Sequence, residues 1–167
     1  MKTKNLFNAV VLAALNLPFV MSCSQGVEID GFVWAEENVG ISKATPYGGY
    51  YDFEKAQTAC PKGWRLPTRD EFELLSRNRS EVVEHNGIAG RWFSGSTPYK
   101  RGVKAVFLPM AGCDYGNGSE YVASRGRYWS STAYSSYRAY LLNFNGSVVY
   151  ADDNFRSSGY SVRCLKN

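Results

Sequence analysis

The residues best suited to chemistry in this sequence are concentrated between Tyr128 and Cys164. That stretch is dense in Tyr, Ser, Asn, Asp and Arg, and apolar residues punctuate it at strand spacing. Between Ser130 and Arg163 it holds no Lys, Glu, Gln, Met or Trp, although the segment from Ser24 to Trp129 uses all five. Tyr supplies broad amphipathic contact area with few rotors to freeze, and Ser and Asn adapt their hydrogen bonding. The chemistry on offer is recognition, with the preceding chain as scaffold.

Other reactive groups are sparse. The single histidine, His85, sits in a charged run with no nucleophile-and-orienter pattern around it, so it reads as a solvated loop residue. Asp152, Asp153 and Asn154 offer hard oxygen ligands of the kind calcium takes. Three such neighbours read more simply as a solvated turn, and no metal or other cofactor is expected.

Length and charge bound the rest. At 167 residues the chain suits one domain, and 12 Tyr, 9 Phe and 4 Trp provide a core. The formal charge is +4; without Lys2 and Lys4 it falls to 17 basic against 15 acidic residues. Nucleic-acid binding calls for a clustered basic face, so no nucleic-acid partner is expected.

Lys2 and Lys4 precede an apolar run from Leu6 to Val20, which ends in Val20-Met21-Ser22-Cys23. The run is too short for a transmembrane helix and reads as an export signal. Its end resembles a bacterial lipobox, which implies a signal peptide over 1–22, lipidation of Cys23 and a tether over 23–27. The implied location is the cell envelope, lipid-anchored at the outer membrane or cell surface. Exported chains keep disulfides, and Cys60, Cys113 and Cys164 allow three pairings with one thiol left over. The favoured pair is Cys60–Cys164, which closes a loop worth up to ~4–5 kcal/mol in the chain-entropy model. Cys113 is then free or buried. No CxxC spacing supports a redox or zinc site.

The elements that must position the recognition stretch follow in order. Glu28 to Asn38 reads as an opening strand, and Gly40 to Tyr51 as a loop whose tyrosines pack over the domain edge. Asp52 caps a short helix reaching Cys60, with Phe53 and Ala56 on its buried face. Thr68 and Glu71 form a capping box for a second helix burying Phe72, Leu74 and Leu75, which frays into Arg77 to His85. From Gly87 the texture is of short strands: 91–94, 103–109, 119–124 and 128–133. Asn145-Gly146 marks a hairpin between 139–144 and 148–150. Tyr160 to Leu165 closes the chain as a strand with Tyr160, Val162 and Cys164 on one face. This is an α+β pattern, two helices and an irregular mainly antiparallel sheet, with the domain spanning 28–167 and its ends close together.

At this point the residues resemble a known family. Ala59-Cys60-Pro61-Lys62-Gly63-Trp64-Arg65-Leu66-Pro67-Thr68 with Glu71 is similar to a motif of the Fibrobacter succinogenes major paralogous domain, common in exported lipoproteins. Tyr128-Trp129-Ser130-Ser131, Ala139-Tyr140, Leu142, Phe144, Arg156, Gly159 and Ser161-Val162-Arg163-Cys164 resemble its ending. The resemblance covers about Gly31 to the C-terminus and implies a C-type-lectin-like fold.

The same ending resembles the variable proteins of diversity-generating retroelements. Adenine-directed mutagenesis of their Asn codons rarely or never yields Trp, Met, Gln, Glu or Lys. That resemblance implies a scaffold of Trp129, Ser130, Ala139, Leu142, Phe144, Arg156, Gly159 and Val162. It implies ligand contact by Tyr134, Ser135, Ser136, Tyr137, Arg138, Asn145, Ser147, Tyr150, Asp152, Asp153, Asn154, Phe155, Ser157 and Ser158. Arg138 would stack on or grip the ligand, and Arg156 would hold loop carboxylates or carbonyls.

Three other functions compete. A calcium-dependent lectin would need a Glu-Pro-Asn or Gln-Pro-Asp triplet, which is absent, whereas metal-free sugar stacking on Tyr134, Tyr137 and Tyr150 stays open. Formylglycine-generating enzymes have a related fold, yet Cys113 lacks a neighbouring Cys or His in the sequence, so no catalysis is expected. A structural or adhesive surface subunit would self-associate. The leading expectation is a surface-anchored binder of a protein or glycan ligand, attached to the membrane through its lipid.

Overall fold

A computed structural model describes residues 26–95 and 103–167. The expected leader and Cys23 lie outside the described residues. Within them, no helix is long and apolar enough to cross a membrane.

The chain opens as a hairpin, β1 (Val27–Ile29) against β2 (Phe32–Trp34), rather than one long strand. Asp30 and Gly31 both take positive φ (49° and 84°), the left-handed backbone that Asp-Gly turns supply. An irregular segment follows, stitched to the end of the chain by Ala35 N–H to the Cys164 carbonyl (2.9 Å) and Val39 N–H to the Val162 carbonyl (3.0 Å). Tyr50 donates its hydroxyl to the Ala111 carbonyl, as expected for a ring laid over the domain edge.

Helix α1 is one turn, Phe53–Ala56, and its Asp52 cap accepts the Lys55 N–H at 2.9 Å. The short strand β3 (Trp64–Arg65) leads into α2 (Arg69–Arg77). The capping box is complete: the Thr68 hydroxyl accepts the Glu71 N–H (3.3 Å), and the Glu71 carboxylate accepts the Thr68 N–H (2.7 Å). Phe72 and Leu75 are buried, but Leu74 is about half exposed, one position off the buried stripe.

The run expected to fray from this helix is instead strand β4 (Ser80–His85). It pairs along its whole length with β5 (Ile88–Phe93), which pairs in turn with β6 (Val106–Pro109). Asn86 and Gly87, both at positive φ, make the β4–β5 turn. β7 (Cys113–Asp114) and β8 (Ser119–Glu120) form a small ribbon, so the expected 119–124 strand shrinks to two residues. The tight segment after it has Tyr121 and Ala123 at positive φ.

The principal sheet is β9 (Gly126–Ala133), β10 (Arg138–Phe144) and β11 (Val149–Phe155), ordered β11-β10-β9. The Asn145-Gly146 hairpin is present. Asp152, Asp153 and Asn154 are not a solvated turn: they continue β11 opposite Leu141, Tyr140 and Ala139. The expected closing strand is mostly isolated bridges, and only β12 (Leu165–Lys166) is regular, lying between β2 and β3. Among the described residues the fold has two helices and several antiparallel sheets, with β12 beside β2 of the opening hairpin.

Strands β9 and β10 separate two cores. Tyr128, Leu142 and Phe144 pack with Trp34, Phe72, Leu75 and Phe93 on one side. Trp129, Ala139 and Leu141 pack with Phe53, Tyr160 and Val162 on the other, consistent with strand alternation. The Cys60–Cys164 disulfide joins the second core to the segment after α1, and Cys113 is free and buried.

Candidate ligand-binding face

The β10–β11 register decides how the predicted contact residues divide. Directly opposed residues share a face, so Arg138 with Phe155 and Tyr140 with Asp153 lie on one side. Ala139 with Asn154, Leu141 with Asp152 and Asn143 with Tyr150 lie on the other. The fourteen residues therefore do not form one surface.

The first group is the most coherent. Tyr134 and Tyr137 stand in the β9–β10 turn, both largely exposed, at 55% and 63%. Tyr137 stacks with Phe155 at 6.5 Å between ring centroids, and Tyr134 meets Tyr140 edge-on at 5.3 Å. Beneath them Arg138 donates from Nε to the Asp153 carboxylate and from Nη2 to the Asp153 carbonyl (3.0 Å), with its guanidinium 5.1 Å from the Phe155 ring. Ser135 is occupied internally, its hydroxyl accepting the Arg138 N–H at 3.1 Å, while Ser136 and Ser157 are exposed. Two neighbours escaped the sequence reading. Tyr140 shares the strand parity of Arg138, and Arg69 of α2 lies 4.6 Å over the Tyr140 ring. Parity could have identified Tyr140; Arg69 is brought there only by tertiary packing.

On the opposite side, the Asn143 amide donates to the Tyr150 hydroxyl (3.0 Å) and the Asp152 carboxylate (3.1 Å). Asp152 and Asp153 thus point to opposite faces, one toward Asn143 and the other toward Arg138. Next to Asn143 in the sheet lies Arg127, whose guanidinium sits among the rings of Tyr115, Tyr121 and Tyr160. Burial opposes its charge, yet the facing thiol and phenols hold its pKa above the ordinary arginine value.

Asn145 and Ser147 stand at the other end of the hairpin. The Asn145 side chain accepts the Ser147 and Val148 N–H groups (2.7 and 3.0 Å), and its carbonyl takes Arg91 at 2.7 Å. A seven-residue strand separates them from Arg138 by roughly 20 Å. Ser158 is buried, so it does not belong to any exposed face.

The scaffold positions lie underneath. Trp129, Ser130, Ala139, Leu142, Phe144 and Val162 are all fully buried. Arg156 lies over the Phe53 ring (4.6 Å), donates to Glu54 (3.1 Å) and accepts the Phe53 N–H on its carbonyl (2.9 Å). It fastens the end of β11 to α1.

Residues 33–166 match the Fibrobacter succinogenes major domain. The chain belongs to that family. The match spans both the Cys60–Thr68 motif and the C-terminal strands, so the family's domain includes the scaffold and the exposed tyrosine group together. No curated protein and no solved structure matches the chain.

Proposed function

We propose that this major-domain protein is an exported, lipid-anchored ligand-binding protein on a C-type-lectin-like scaffold. Its recognition face is the group Tyr134, Ser136, Tyr137, Arg138 and Phe155, with Tyr140, Asp153 and Arg69 as its base. The observation that carries this reading is the division of one sheet into two populations. Aromatic side chains at the β9–β10 turn and the end of β11 stand in solvent, while the residues that hold those strands are fully buried. Such an arrangement lets the exposed side chains change without disturbing the core, and rigid aromatic anchors beside small hydroxyls suit a protein or glycan ligand. That tolerance, together with the missing Lys, Glu, Gln, Met and Trp, supports diversification by a retroelement.

The test is the DNA downstream of the gene. A near-copy of the Tyr128–Cys164 coding region, differing at adenines and followed by a reverse transcriptase, is the expected result, with mismatches falling on the exposed group. Absence of both removes diversification. Ligand binding is tested separately, by screening envelope proteins and glycans against the native chain and a Tyr137→Ala, Phe155→Ala variant. Indifference of every captured ligand to that variant would remove this face from the function.

A further inference from the structure

A concavity lies away from the tyrosine group, on the outward face of the β4-β5-β6 sheet. It holds about 370 Å³, within the few hundred cubic ångströms that small-ligand sites occupy. Strand register places Trp92 and Phe107 side by side, and His85 at the end of β4 shares their face. The three rings form a triangle with centroids 5.0 to 5.2 Å apart. Gly90 makes this possible: a Cβ there would stand 2.5 Å from the Phe107 ring, so only glycine lets that ring lie flat across the strand.

The polar side of the pocket is acidic. Glu36 and Glu37, both exposed, line it together with the rings. Arg163 also lines it but is held in the protein: Nε donates to the Asn38 side-chain Oδ1 (2.9 Å), and Nη1 to the backbone carbonyls of Ala35 and Glu36 (both 2.9 Å). Two carboxylates against one pinned guanidinium leave the cavity net negative. Aromatic faces and carboxylates select the same thing, a positive charge on an apolar stem.

We propose that this pocket binds an ammonium head carried on an apolar stem, as in a free alkylamine or a lysine side chain. The rings take the stem and the flank of the cation, and Glu36 and Glu37 neutralise its charge. The proposal is independent of the recognition face.

The experiment titrates the isotopically labelled full chain with n-butylammonium, with Nα-acetyl-lysine methylamide and with neutral n-butanol. The Trp92 indole N–H signal, assigned through Trp92→Phe, is the readout. Both ammonium probes are expected to shift it saturably, about tenfold more tightly than n-butanol. The Glu36→Gln, Glu37→Gln double variant, altered at exposed positions, is expected to lose that preference, while Tyr137→Ala keeps it. Tighter binding of the lysine derivative would mean that the head arrives on a protein side chain; tighter butylammonium would mean a free amine. Equal binding of n-butanol, no saturable shift, or a preference that survives the double variant would each overturn the proposal.

Discussion

Arg138 reaches diagonally across β10 and β11 to Asp153, and the guanidinium engages both the carboxylate and the carbonyl of that aspartate. Diagonal positions on one face, Arg138 opposite Phe155 and Asp153 opposite Tyr140, bring them together. The pair orients Arg138 beneath Phe155 instead of leaving it to sweep solvent. Because both side chains are partly exposed, a double-mutant cycle with Arg138→Ala and Asp153→Ala is expected to give a coupling of about 0.5–1 kcal/mol in urea denaturation. A coupling indistinguishable from zero would mean that the arginine is not held for binding.

The separation of face from scaffold predicts an asymmetric response to truncation. Trp129 is fully buried and donates its indole N–H to the Tyr51 carbonyl (2.8 Å), so Trp129→Ala is expected to cost about 3–5 kcal/mol. Leu142→Ala, also in a closed core, is expected to cost about 2–5 kcal/mol. Tyr137→Ala removes a largely exposed ring that stacks on Phe155 and is expected to stay within ~0.5 kcal/mol of the parent. Denaturant midpoints of the three variants check this, and a large loss in Tyr137→Ala would make that ring structural.

What was legible in the sequence was local chemistry. The Thr68–Glu71 box, the Asp52 cap and the Asn145-Gly146 hairpin each depend on residues a few positions apart, and all three are present. Pairing partners were not legible. Ser80–His85 has two valines flanked by Glu81 and Glu84, which suits a fraying helix as well as a strand, and only β5 alongside decides for strand. Asp152, Asp153 and Asn154 looked like a turn because β propensity disfavours them, yet their place opposite Leu141, Tyr140 and Ala139 keeps them extended. The same register splits the predicted contacts between two faces, a consequence of strand period that composition does not reveal.

The Cys60–Cys164 bridge spans 104 residues and joins the start of the α1–α2 connection to the segment beside β12. Opening it frees nearly the whole domain's chain entropy, so Cys60→Ala, Cys164→Ala is expected to lose about 2–5 kcal/mol. Cys113 is fully buried, so alkylation of that thiol is expected only on unfolding. Alkylation in the native state at the rate of a free thiol would contradict the packing described for β7.

Acid should loosen the start of α2. Burial works to raise the Glu71 pKa, but hydrogen bonds from Arg65 (2.6 and 2.8 Å) and from the Thr68 N–H outweigh it and leave the carboxyl below its ordinary 4.5. A carboxylate with a depressed folded pKa contributes stability above its unfolded value, lost as pH falls through the folded one. Glu71→Gln removes that linkage while keeping a side chain able to accept the Thr68 N–H. The parent is therefore expected to exceed Glu71→Gln in stability at neutral pH, and the gap is expected to close as pH drops below 4.5. Thermal or urea melts of both proteins across that range provide the measurement. A gap that does not change with pH would mean that Glu71 anchors the helix by shape and hydrogen bonding, with its charge contributing nothing.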